Sequence, residues 1–127
     1  MLYFYHMQID DFKSHIEKNF PTVANEKILI AVSGGLDSMT LIDLCQKSNY
    51  DISLAHCNFS LRGDESDSDE IFVKDFGLTH KITVYTKKFD TKAYLENFKQ
   101  SIQMAARELR YDWFIALKEK HNFKWIL

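Results

Sequence analysis

The residues best suited to chemistry are SGGLDS at positions 33–38, set between the β-branched, apolar run ILIAV and a new apolar pattern with helical spacing. Gly34 and Gly35 permit positive φ, and without a Cβ they leave backbone amides open to a ligand. The free amides and dipole at the start of the helix that follows form an anion site. Ser33 and Ser38 can donate hydroxyls to phosphate oxygens. Asp37, when ionised, only accepts. It therefore either caps the helix or holds the magnesium that accompanies a nucleotide. The plain alternative is a tight Gly-Gly turn with an aspartate cap. The spacing is neither GxxxxGK[ST], since no lysine follows the glycines, nor GxGxxG.

Two further stretches carry candidate groups. In HCNFSLRG (56–63), His56 either packs under its loop and bonds a carbonyl or contacts a ligand. Asn58 follows, and Arg62 meets phosphate or pins the acidic segment behind it. That segment, DESDSDE (64–70), reads as a solvated helix start with carboxylates favouring the dipole, and Ser66 with Asp69 fits a capping box with a shorter acid. In SIQMAARELRYDWF (101–114), Arg107 and Arg110 are three apart, about 60° from each other on a helix, and away from the Leu109 stripe. They can project together toward a ligand, with Phe114 on the same face. Bidentate geometry makes arginine better suited than lysine to such a contact. Cys45 and Cys57 form no CxxC pair and read as reduced packing thiols.

The elements that position these groups follow from periodicity. A leading helix falls within residues 1–20, with Ile9, Phe12 and Ile16 at helical spacing over 7–19, before the single proline, Pro21. Residues 27–33 read as a strand buried on both faces, and 38–48 as a helix with Leu41, Leu44 and Cys45 inward. A strand over 52–57 precedes a helix over 66–76, with Phe72, Val73 and Phe76 inward and Gly77 as its stop. Residues 81–86 form a third strand. Residues 101–121 form the longest helix, its stripe made of Ile102, Ala105, Leu109, Trp113 and Ala116. KWIL (124–127) starts a fourth strand. Alternating strands and helices predict an α/β fold: a parallel sheet sandwiched by helices, with ligands beyond the carboxyl ends of its strands. SGGLDS and HCNFSLRG then share one edge.

The 127 residues suit a single domain, and 46% apolar with 27% charged residues excludes disorder. A net charge of −2 excludes a wholly basic nucleic-acid binder. No run approaches the ~20 apolar residues of a membrane helix, so a cytoplasmic protein is expected. Because the chain stops inside an apparent strand, a truncated last strand and a domain incomplete at its C-terminal end are also expected. Such a half-built edge can pair with a neighbour as a homodimer.

SGGLDS resembles the signature of the N-type ATP pyrophosphatases. AHCNFSLRGDESDSDEIFV resembles, within that class, the tRNA(Ile)-lysidine synthetases, whose pattern is close to HxNHxLRxxSxxDxxFV. His56, Asn58, Leu61, Arg62, Ser66, Asp69, Phe72 and Val73 fall in register, and Phe59 replaces the second histidine. SIQMAARELRYDWF is similar to the EAARxxRYxFF element of that family through Arg107, Arg110 and Tyr111, with Met104 where Glu is usual. The resemblance covers nearly the whole chain and implies an adenine nucleotide alpha hydrolase-like, Rossmann-like ATP-binding (PP-loop) domain. The implied reaction uses ATP and Mg2+ to adenylate C2 of the wobble cytidine of tRNA(Ile) with a CAU anticodon. Free L-lysine then displaces AMP.

Asp37, His56 and Arg107 are the implied catalytic residues, with Asp37 on magnesium. The implied nucleotide contacts are Ala31, Ser33, Gly34, Gly35, Leu36, Asp37 and Ser38 of the loop region, His56, Asn58 and Arg62 after the second strand, and Arg107 and Arg110. The next element of that family, an AHHxxDD-type loop, would begin past Leu127, so this chain alone is expected to be nearly inactive on tRNA. The alternatives are a tRNA thiolation enzyme, which a downstream CxxC pair would favour, and a nucleotide-binding module without turnover.

Overall fold

The computed structural model describes residues 9–33, 36–98 and 101–127, and of residues 36, 37, 97 and 98 the backbone alone. Helix α1 (Ile9–Asn19) and a 3-10 turn (Val23–Asn25) lead into β1 (Ile28–Ala31) and α2 (Leu36–Lys47). Then come β2 (Ile52–Asn58), α3 (Asp64–His80), β3 (Thr83–Lys88), α4 (Thr91–Phe98), α5 (Ile102–His121) and β4 (Trp125–Ile126). The strands pair in the order β3-β2-β1-β4, and every pairing is parallel. Chain order reverses at β1, which lies between β2 and β4, so the carboxyl end of β1 faces the crevice where such sheets take ligands.

Alternation along the strands divides the core in two. Ile28, Ile30 and Leu54 face one side, where Phe12 of α1, Ile42 and Cys45 of α2 and Val73 of α3 cover them. Leu29 and Ala55 face the other side, under Phe114 and Leu117 of α5 and Phe123. Covering both faces is what lets β1 be apolar throughout. Each fully buried Ile or Leu contributes about 1.5–3 kcal/mol relative to exposure.

Several boundaries and faces differ from expectation. Helix α3 runs through Gly77 to His80 and ends on Lys81, which adopts the left-handed conformation (φ 57°) and donates its N–H to the Gly77 carbonyl. Gly77 is a close-approach residue: an added Cβ would strike the Val84 side chain and lie 2.9 Å from the Ile82 carbonyl oxygen. Phe72 is 51% exposed, so of the three residues expected inward Val73 is buried and Phe76 half-buried. Ser66 is not a cap. Gly63 precedes the helix, and the Ser66 hydroxyl instead accepts from the Arg62 N–H at 3.1 Å. The acids Asp64, Glu65 and Asp67 do sit in the first turn.

Along α5 the expected stripe is also displaced. Ala105, Phe114 and Leu117 are buried, whereas Ile102 and Ala116 are exposed and Leu109 and Trp113 half-buried. The reason is α4, an element the periodicity did not reveal. The first half of α5 packs on α4, where Tyr94 donates its hydroxyl to Glu108 at 2.7 Å, and the second half packs on the sheet.

Candidate functional site

A cleft of about 350 Å³ opens beyond the carboxyl ends of β1 and β2, within the range of small-molecule pockets. Ala31, Val32 and Ser33 form its β1 wall, and His56, Cys57, Asn58 and Phe59 its β2 wall. Ser38 enters from the first turns of α2, Leu61 and Arg62 from the loop before α3, and Arg110 and Phe114 from α5. Phe114 is buried against the sheet, which seats α5 so that Arg110, one turn earlier, reaches the cleft.

The hydroxyls of Ser33 and Ser38 lie 3.5 Å apart across the loop, beside the start of α2 at Leu36. Helix starts of this kind favour anions. His56 is only 5% exposed, and its Nδ1 lies 2.7 Å from the Val32 carbonyl oxygen, which makes Nδ1 the donor. Nε2 is then an acceptor in the neutral ring and a second donor in the charged one. The carbonyl bond expected of a packed His56 is present, and the residue also lines the cleft.

The loop after β2 is held by its own polar groups. Asn58, 2% exposed, donates from Nδ2 to Asp67 at 2.8 Å and accepts at Oδ1 from the Ser60 N–H at 2.9 Å. Lys88 at the end of β3 adds an ion pair to Asp67 at 3.1 Å. The Asn58 amide, and after it Lys88, hold the Asp67 carboxyl below the usual carboxylate range. Arg62 pairs with Asp69 at 2.7 Å and with Glu65 at 3.5 Å. Pinning the acidic helix start is therefore what Arg62 does in this structure, and exposed pairs of this kind contribute about 0–1 kcal/mol.

Cys57 is half-buried in the cleft wall. Burial pushes its thiol up to about 12 against the opposing influence of Arg110 and Lys87, so it is protonated at neutral pH. Among the described residues no three His, Cys, Asp or Glu side chains come together as a metal site. Asp69, the carboxylate in the cleft lining, is already engaged by Arg62.

Of the residues singled out from sequence, Ala31, Ser33, Ser38, His56, Asn58, Arg62 and Arg110 line one cleft. Gly34 and Gly35, and the side chains of Leu36 and Asp37, lie outside the described residues. Arg107 is exposed and is not part of the lining, so the two arginines do not enter the cleft together. Sequence reasoning passed over Phe59 and Phe114 as site residues. The departure of Phe59 from the resembled pattern, and the position of Phe114 one turn after Arg110, were the available signals.

A family model described as the PP-loop domain matches residues 8–127. The tRNA(Ile)-lysidine synthase of Bacteroides thetaiotaomicron is 42% identical over 106 residues, which is 84% of this chain and 25% of that protein. The corresponding protein of Parabacteroides distasonis is 38% identical over 112 residues, 88% of this chain and 26% of its own length. That of Chlorobaculum tepidum is 45% identical over 97 residues, 72% of this chain and 29% of its own. The chain thus spans about a quarter of the length of these curated relatives. Its parallel sheet with helices on both faces is the adenine nucleotide alpha hydrolase-like arrangement. No helix among the described residues is long and apolar enough to cross a membrane.

Proposed function

Because this chain belongs to the PP-loop domain family, we propose that its cleft binds ATP as part of tRNA(Ile)-lysidine synthesis. In this reading ATP adenylates the C2 oxygen of a wobble cytidine in a tRNA(Ile) with a CAU anticodon and releases pyrophosphate. The ε-amine of free lysine then attacks C2 and displaces AMP. The observation that carries the reading is the convergence of Ser33, Ser38, His56 and Arg110 on one cleft at the carboxyl edge of the sheet.

Each group has a role that its surroundings support. The amides at the start of α2 and the hydroxyls of Ser33 and Ser38 hold phosphate oxygens. Arg110 offsets negative charge on the departing pyrophosphate. His56, fixed by its bond to Val32, presents its other ring nitrogen to a base or ribose. Arg107, exposed on the same helix as Arg110 and outside the lining, is proposed to contact the substrate. Magnesium, which binds phosphates with one or two carboxylates and several waters, would supply charge neutralisation, with Asp37 the proposed holder. The described side chains offer no closed metal cage.

Titration of Mg-ATP into the chain by calorimetry tests the binding step. Arg110→Ala is expected to weaken binding about 10- to 150-fold, the value of a hydrogen bond to a charged group. Binding by the parent that is indifferent to Arg110→Ala would place the nucleotide elsewhere.

A further inference from the structure

Phe59 is built into the cleft wall as a fixed aromatic plane. Its ring stacks on Phe89 with centroids 5.5 Å apart and planes 20° from parallel. Phe89 is itself buried, with Trp113 edge-on at 6.2 Å and the Lys87 ammonium over its ring at 5.3 Å. The backbone is fixed as well. The Phe59 carbonyl accepts from the hydroxyl of Thr91, 1% exposed, at 2.7 Å, and the Phe89 N–H donates to the Asn58 carbonyl at 2.7 Å. A ring stacked on a buried Phe89 that Trp113 braces in turn, on a backbone held by the Thr91 hydroxyl, has little rotamer freedom left to lose on binding. Phe59 is nevertheless half-exposed and lines the cleft beside His56.

Phenylalanine has no polar atom, so it can recognise a partner only by shape and stacking. A flat heterocycle is the ligand such a surface suits. We propose that Phe59 is the nucleobase-stacking residue of this cleft. The inference rests on the functional reading above, which brings two nucleobases to the site: the adenine of ATP and the target cytosine. Where the resembled pattern has histidine, this chain keeps a planar ring and gives up its ring nitrogens, leaving the hydrogen bonding of the base to other groups.

The test uses Phe59→Leu, which keeps apolar volume without the plane, and Phe59→Trp, which keeps the plane. Three probes are titrated: Mg-ATP, Mg-tripolyphosphate, and a CAU anticodon stem-loop with and without its target base. If adenine stacks there, Phe59→Leu weakens Mg-ATP about 5- to 150-fold, leaves tripolyphosphate unchanged, and Phe59→Trp retains affinity. If the target cytosine stacks there, the same loss falls on the intact stem-loop and spares both Mg-ATP and the abasic stem-loop. Unchanged affinity for every probe overturns the proposal. So does an equal loss for ATP and tripolyphosphate, which marks a merely structural ring. A parent chain that binds neither ATP nor tripolyphosphate overturns the functional reading itself, and this inference with it.

Discussion

At the scale of single residues, the same chemistry serves packing and site together. His56 spends Nδ1 on the Val32 carbonyl to fix its ring, and Asn58 spends both side-chain ends on the loop and on α3. Gly77 shows the opposite economy, in which the absence of an atom is what matters. Helix α3 approaches β3 at Gly77 so closely that a methyl group would meet Val84 and the Ile82 carbonyl. Gly77→Ala, usually favourable inside a helix, is therefore expected to destabilise by about 1–3 kcal/mol through overpacking. A urea unfolding midpoint equal to or above that of the parent would show that β3 gives way freely. From sequence this glycine reads as a helix stop, because its spacing cannot show a strand packed against it.

At the scale of elements, the cleft depends on a tether among β2, α3 and β3. Asp67 receives the Asn58 amide from the end of β2 and the Lys88 ammonium from the end of β3. Its folded pKa is depressed, so the unfolded chain takes up the proton first as pH falls. The stabilisation is fully present above the unfolded carboxyl value of about 4, and it is lost as pH drops through the lower folded value. Asp67→Asn should therefore be less stable than the parent at pH 7, with the gap closing below about pH 4. Urea midpoints across that range measure it, and parallel profiles would mean that other carboxylates carry the acid limb. The element most fully missed, α4, is only eight residues long, too short for TKAYLENF to display a face. Missing it misdirected the reading of α5, whose burial shifts from Ala105 on α4 to Phe114 and Leu117 on the sheet.

At the scale of the molecule, the parallel sheet was legible because strands alternate with helices and ILIA is apolar on both faces, a pattern that suits a doubly covered sheet. That alone put SGGLDS and HCNFSLRG on one edge. The approach of α5 to that edge was not legible, since it depends on where a helix rests across a sheet rather than on the period of its residues. The distinction between Arg110, in the cleft, and Arg107, outside its lining, belongs to that docking. Phe114 holds it, being part of the core of the second face and of the cleft wall. Phe114→Ala is expected to cost about 3–5 kcal/mol of stability, whereas Phe72→Ala, at an exposed position on α3, should stay within about 0.5 kcal/mol. The two variants also separate scaffold from site. If α5 is the arm that carries Arg110, Phe114→Ala, titrated well below its unfolding temperature, should bind Mg-ATP more weakly than the parent, and Phe72→Ala should match the parent. A folded Phe114→Ala protein with undiminished affinity would show that the seat of Arg110 lies elsewhere, with α4 and the loop after β2 holding the helix in place.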